Sequence, residues 1–101
     1  MTNTQRAEWF TDKLLVSYHK WRSTLQPGSR AGVRYKGLIT KHGGVSAGGG
    51  VKAMRQLLDS HSNRRKASGF GAEELVLDMR FRNLFTAKQR KEAKDRLAES
   101  K

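Results

Sequence analysis

The sequence contains no cysteine and a single proline among its 101 residues. Without cysteine, disulfides and thiolate metal ligands are excluded, so the fold depends on a packed core and an intracellular protein is expected. No apolar run approaches the roughly 18 residues that a membrane-spanning helix needs. The polar N-terminus also lacks the apolar stretch of a secretion signal. We therefore expect a cytoplasmic protein that does not enter a membrane.

Acidic residues are scarce, with nine Asp and Glu against 21 Lys and Arg, which gives a formal net charge of +12. The imbalance is concentrated in residues 13–72, which contain twelve basic residues and one acidic residue, Asp59. Concentrated positive charge is typical of proteins that bind polyphosphates, because each phosphate contact releases condensed counterions. The charge distribution therefore predicts a nucleic-acid partner or an acidic protein partner.

The periodicity of apolar residues predicts the fold class. They recur at helical spacing in several segments, and no segment alternates as a strand would. The length allows one small core, so we predict a single all-α domain of four to five helices. Its parts are an N-terminal helix over 1–25, a glycine-turned helical hairpin over 29–59, a basic connector over 60–70 and C-terminal helices over 71–101.

Capping patterns predict several helix ends. Thr2 and Thr4 are alternative caps for the first helix, and the pairs Thr2–Gln5 and Thr86–Gln89 have the spacing of a capping box. Ser29 and Ser46 are candidate caps for the second and third helices, with a start of the third helix near Val51 as the alternative, and Gly43 lies where a helix ends with positive φ. The predicted inner faces are formed by Phe10, Leu14, Tyr18, Trp21, Leu25, Tyr35, Leu38, Ile39, His42, Val45, Val51, Met54, Leu57, Leu58, Leu75, Val76, Met79, Phe81, Leu84, Phe85, Ala93 and Leu97.

A glycine run, "ITKHGGVSAGGGVKAM" at residues 39–54, contains five of the ten glycines. It does not fit a phosphate-binding loop of the ATPase type, because Lys52 comes too late after Gly49 and no hydroxyl residue follows it. The dinucleotide-binding pattern also fails, since no strand precedes the run. We interpret the run as a tight turn that allows close helix approach, with phosphate contact by its backbone amides as a secondary possibility.

The run also joins two basic, helical arms, which gives residues 33–59 the outline of a helix-turn-helix. On this interpretation Lys52 and Arg55 project from the second helix, with Gln56 as a candidate base reader. The alternative is an ordinary αα-hairpin with a solvated basic surface.

Catalytic and metal-binding patterns are missing from the sequence. The three histidines have no clustered carboxylate or cysteine partners at the spacing of a zinc site. Ser46 lacks the strand–turn–helix context of a nucleophile elbow. Glu73 and Glu74 are adjacent and point to different sides of a helix, which suits acid–base catalysis poorly. We predict no enzymatic activity, no metal and no cofactor.

The segments "YKGLITKHGGVSA…MRQLL", "SGF" and "EELVLDMRFRNLFTAKQRKEAKDRL", within residues 35–97, resemble a small helical family of uncharacterised bacterial and phage proteins. Its members occur as stand-alone chains and appended to HNH-type restriction nucleases. The resemblance implies a helical module that works near DNA, in phage defence or counter-defence, and supplies no catalytic residues. This chain departs from the family at Gly48, Gly49 and Gly50, where members tend to have helix formers, and after Phe70, where a Leu- and Trp-containing stretch usually follows.

These observations together predict a non-enzymatic module that binds DNA or RNA mainly through phosphate. The alternative is a small inhibitor or accessory subunit whose basic face binds a nuclease or ribonucleoprotein complex. A third hypothesis is a ribosome- or nucleoid-associated structural protein. The predicted contact residues are Arg34, Lys36, Lys41, Lys52, Arg55, Arg64, Arg65 and Lys66.

Overall fold

The computed structural model describes residues 1–30, 32–60 and 68–99. These residues form five α-helices and two 3₁₀ turns without any strand, which confirms the all-α prediction. The Cα radius of gyration is 12.9 Å, close to the roughly 13 Å of a compact domain of about 100 residues. The helices are α1 (Asn3–Arg22), α2 (Val33–Lys41), α3 (Gly49–Asp59), α4 (Ala72–Leu77) and α5 (Ala87–Glu99), and the 3₁₀ turns are Val45–Ala47 and Arg82–Leu84.

Helix α1 begins as predicted and ends earlier than predicted. The Thr2 hydroxyl accepts the Gln5 N–H at 3.1 Å, and the Gln5 side chain accepts the Thr2 N–H at 2.8 Å, so the capping box is confirmed. The helix stops at Arg22, whereas we predicted helix to residue 25. Just beyond it, the hydroxyls of Ser23 and Thr24 donate to backbone carbonyls of the last turn, a local alternative to further helix.

Helix α2 begins at Val33, so the prediction that Ser29 caps it is wrong. The residue before the helix is Gly32, whose φ of 79° lies in the left-handed region. A Cβ at Gly32 would lie 2.5 Å from the Trp21 ring. The chain therefore passes closely beneath Trp21 before the helix starts. The Ser29 carbonyl meanwhile accepts a hydrogen bond from Arg22 at 2.7 Å.

Helix α3 lies at the centre of the domain and contacts α1, α2 and α5. Its start at Gly49 follows Gly48, so Ser46 does not cap it and lies instead in the first 3₁₀ turn. The glycines permit this start because a Cβ at Gly49 would lie 2.5 Å from the Ile39 carbonyl oxygen. The interpretation of the run as a turn with close helix approach is therefore confirmed.

The core follows the predicted apolar set with two corrections. Val45 is 38% exposed and Met79 is 83% exposed. Val45 belongs to the 3₁₀ turn, so helical spacing from Val51 does not apply to it. Met79 lies beyond the end of α4 at Leu77 and does not share that helix's buried face. The aromatic residues near the end of the predicted set, Phe81 and Phe85, are buried as expected.

Two polar residues of α5 are buried in ways that helical periodicity does not reveal. Gln89 completes the predicted capping box with Thr86 and also donates to both carboxylate oxygens of Asp59. Arg96 is almost fully buried, and its guanidinium donates to the Leu57 carbonyl at 2.8 Å and to Glu92 at 2.8 Å. These hydrogen bonds connect α5 to the C-terminal end of α3.

Candidate nucleic-acid interface

The three predicted contact residues of α2 are all exposed, because the helix buries its opposite side through Leu38 and Ile39. Arg34 and Lys41 are seven residues apart, about two helical turns, and therefore share one side of α2. Lys36 lies on the other side of the exposed face, where it borders the contact with α1. Arg34 and Lys41 therefore point away from one side of α2, and Lys36 points away from another.

Lys36 lines an open groove of about 500 Å³ between α1 and α2. The groove includes His19 and Arg22 from α1, and no acidic residue lines it. The Arg22 guanidinium is positioned by its hydrogen bond to the Ser29 carbonyl. His19 and Arg22 were not among the predicted contact residues, although their spacing of three residues on one helix indicates a shared side.

The exposed strip of α3 consists of Lys52, Arg55, Gln56 and Asp59, and three of these side chains are bound within the protein. Arg55 donates to the Leu84 carbonyl through Nε at 2.9 Å and through Nη2 at 2.5 Å. Gln56 contacts the His42 ring at 3.1 Å, and Asp59 accepts from Gln89. A recognition helix needs side chains that can reach base edges. Only Lys52 of these four has no hydrogen bond or ion pair within the described part of the chain.

Lys52 and Arg55 both line a second pocket of about 280 Å³. The pocket also includes Asn3 and Thr4 near the start of α1, whereas the groove described above includes residues near its end. Thr4 and His19 are fifteen residues apart on α1, which corresponds to about 22 Å along a helix. Lys36 therefore lines one concave region and Lys52 and Arg55 line a separate one, whereas Arg34 and Lys41 line neither.

The backbone amides of the glycine run are used inside the protein. The Gly44 N–H donates to Ile39 at 2.9 Å, and the Gly49 N–H donates to Gly44 at 2.8 Å. The Gly50 N–H donates to the Thr11 hydroxyl at 2.9 Å. A phosphate cradle built from these amides would require breaking these bonds. The secondary possibility of phosphate contact is therefore wrong for these three amides.

Positive charge in the middle of the chain is not neutralised by ion pairs. The ion pairs of the described residues, Asp78–Arg80, Lys91–Asp95 and Glu92–Arg96, all lie in the C-terminal part. The only acidic side chain of residues 13–72, Asp59, is bound by the Gln89 amide. Between residues 13 and 72, eight exposed cations have no carboxylate partner within the described ranges: Lys13, Lys20, Arg30, Arg34, Lys36, Lys41, Lys52 and Arg55.

Three predicted contact residues, Arg64, Arg65 and Lys66, lie outside the described residues, as does most of the basic connector. Across 1–30, 32–60 and 68–99, no group of three or more His, Asp or Glu side chains is arranged to hold a metal ion. No helix within the same ranges is both long enough and apolar enough to span a bilayer.

A scan against protein-family models, a search of curated proteins and a search of solved structures found no match to this chain. The family resemblance of residues 35–97 therefore stays a prediction.

Proposed function

We propose that the protein is a nucleic-acid-binding module without enzymatic activity, whose contacts are mainly to phosphate. The observation that supports this most directly is the set of eight exposed cations from Lys13 to Arg55 that have no carboxylate partner in the described structure. A surface adapted only for solubility intersperses both signs of charge. A one-signed surface instead attracts a polyanion and gains free energy from counterion release.

The positions of Arg34, Lys36 and Lys41 suit binding to phosphates better than binding to bases. All three are exposed on one short helix that ends in a glycine turn, and Lys36 faces a groove rather than a projecting ridge. The side chains of α3 that would read bases are bound to neighbouring elements. Affinity with little base selectivity is therefore the expected behaviour. The resemblance to segments found beside restriction nucleases extends the proposal to phage defence or counter-defence.

The test is the salt dependence of binding to labelled duplex DNA, single-stranded DNA and structured RNA at about 50 and about 200 mM salt. The variant Arg34→Gln/Lys36→Gln/Lys41→Gln removes three charges from α2. If all three residues contact duplex phosphates, the slope of log affinity against log salt becomes shallower by about 2.7. The polymer that binds most tightly identifies the ligand.

The matched control is Arg82→Gln/Lys88→Gln/Lys94→Gln, which removes the same charge from exposed C-terminal positions without an ion pair in the described structure. We expect this control to retain most of the slope. Equal losses in both variants would mean that net charge alone determines binding, against a site on α2. Failure to bind any of the three polymers at low salt would overturn the proposal in favour of a protein partner, detected as a salt-sensitive complex in a pull-down.

A further inference from the structure

The pocket that contains Lys52 lies where α1, the first turn of α3 and the turn Arg82–Leu84 meet. Several of the residues that line it are small, among them Ala7, Ala47 and Gly48. A Cβ at Gly48 would lie 2.8 Å from the Cβ of Ala7, which shows how closely α1 and α3 approach here. The volume of about 280 Å³ is just below the range of about 300–1,000 Å³ for pockets that hold drug-sized ligands. This size suits one nucleotide unit.

The charged side chains of the pocket suit a phosphate. Lys52 and Arg55 line it, and no acidic residue does. Arg55 is held in position because two of its N–H groups donate to the Leu84 carbonyl. A guanidinium has five N–H donors, so three remain for a ligand. A guanidinium fixed in this way loses little further side-chain entropy when it binds a phosphate.

The uncharged side chains of the pocket suit a base edge. Asn3 and Asn83 bring two carboxamides to it from positions far apart in the sequence. Neither side chain makes a hydrogen bond or ion pair within the described structure. A carboxamide can donate and accept in parallel, which allows a bidentate contact such as that of Asn with adenine. The pocket thus combines phosphate-binding cations with groups that can bind a base.

We infer that this pocket holds one unpaired nucleotide of a bound strand, with its phosphate at Lys52 and Arg55 and its base edge at Asn3 and Asn83. The inference rests on the proposed nucleic-acid function and adds a preference to it. A base inside a duplex is stacked and paired, so it does not enter a side-chain pocket without being extruded. Strands with unpaired nucleotides are therefore the favoured ligands.

The experiment compares two DNA duplexes with equal numbers of phosphates, one blunt-ended and one with a short single-stranded overhang. We expect the wild-type protein to bind the overhang duplex about tenfold more tightly, within the range of one good bidentate base contact. The variant Asn3→Ala/Asn83→Ala leaves the net charge unchanged. It should lose this preference while retaining the salt slope, which depends on phosphate contacts.

Gln26→Ala is the control, because it removes an exposed carboxamide outside the pocket. It should retain the tenfold preference, and thermal melting verifies that each variant is folded. Equal wild-type binding to both duplexes would overturn the pocket inference, as would a preference that survives Asn3→Ala/Asn83→Ala. If the affinity still falls steeply with salt, either of these two results is consistent with the proposed nucleic-acid-binding function. Loss of binding to both duplexes overturns the function and the pocket inference together.

Free deoxyadenosine monophosphate distinguishes the two possible sources of a nucleotide. If our inference is correct, the free nucleotide competes only weakly with the overhang duplex. A strand has further phosphates that exposed cations outside the pocket can bind, whereas the free nucleotide has none. If the free nucleotide binds as tightly as the overhang duplex, the pocket binds a small-molecule nucleotide. The inference that it holds a nucleotide of a bound strand is then overturned.

Discussion

The backbone N–H of Gly50 donates to the side-chain hydroxyl of Thr11 across the contact between α3 and α1, with an N–O distance of 2.9 Å. The same hydroxyl donates to the Ala7 carbonyl at 2.8 Å. Thr11 is fully buried, so its hydroxyl satisfies a backbone donor that water does not reach. A Cβ at position 50 would lie 2.9 Å from the Thr11 Cα. The glycine and the threonine thus depend on each other, because only a glycine allows this approach.

Replacing Thr11 with valine tests this relationship. Thr11→Val keeps the shape of the side chain but leaves the buried Gly50 N–H without its acceptor. We expect the free energy of unfolding to fall by about 1–3 kcal/mol, the desolvation cost of an unpaired buried donor. Urea denaturation followed by circular dichroism measures the change. Thr40→Val, the same change at an exposed position of α2, should stay within about 0.5 kcal/mol of wild type. Equal stability of the two variants would contradict the assignment.

Two glycines in different helices should respond to alanine with opposite sign. Gly37→Ala places a Cβ where no atom lies within 4 Å, so the variant should gain about 0.8–1.0 kcal/mol from helix propensity. Gly49→Ala places a Cβ 2.5 Å from the Ile39 carbonyl oxygen and 3.0 Å from Gly44 backbone atoms. We expect it to lose about 1–3 kcal/mol, as in other overpacked sites.

The two denaturation midpoints, measured side by side against wild type, provide the check. A stable Gly49→Ala protein would mean that the α2–α3 turn relaxes without cost. Destabilisation by Gly37→Ala would mean that the outer side of α2 is not open as described.

Features fixed by nearby residues could be predicted from the sequence. The capping boxes Thr2–Gln5 and Thr86–Gln89 need only contacts three residues apart, and both are present. Gly43 has the expected positive φ, at 99°. Ser29 and Ser46 failed as caps because distant contacts decide where α2 and α3 begin: the Trp21 ring against Gly32, and the Ile39 carbonyl against Gly49.

The candidate site was harder to predict because its residues are far apart in sequence. Basic charge identified Lys52 and Arg55, but nothing local shows that Arg55 donates to the Leu84 carbonyl, 29 residues away. Asn3 lies in α1 and Asn83 in the turn Arg82–Leu84, and only the tertiary fold brings these two residues to one pocket. Positive charge therefore predicted a class of ligand, whereas the fold was needed to locate a cavity.

The pH dependence of stability provides a test of the C-terminal part of the structure. The Asp78 carboxylate accepts hydrogen bonds from the Arg80 side chain at 2.8 and 2.9 Å and from the Arg80 backbone N–H at 2.8 Å. The side-chain hydrogen bond, followed by the backbone one, lowers the pKa of Asp78 from its ordinary 3.8 to about 2. Because the pKa is lower in the folded state than in the unfolded state, the stabilisation is fully present above about pH 4.

This stabilisation is lost as the pH falls from about 4 toward 2, since the folded protein then also binds the proton. The stability difference between wild type and Asp78→Asn should therefore shrink across that interval.

Carboxyl chemical shifts in an NMR titration measure the pKa of Asp78 directly. Arg80→Gln removes the cation and should raise the pKa of Asp78 toward its ordinary value of 3.8. If Asp78 titrates near this value in the wild-type protein, Arg80 does not bind the Asp78 carboxylate in solution. Arg80 also stacks on Trp9, at 5.0 Å from the ring centroid. A pKa of Asp78 that is low in the wild-type protein and rises in Arg80→Gln would establish that Arg80 binds this carboxylate in solution.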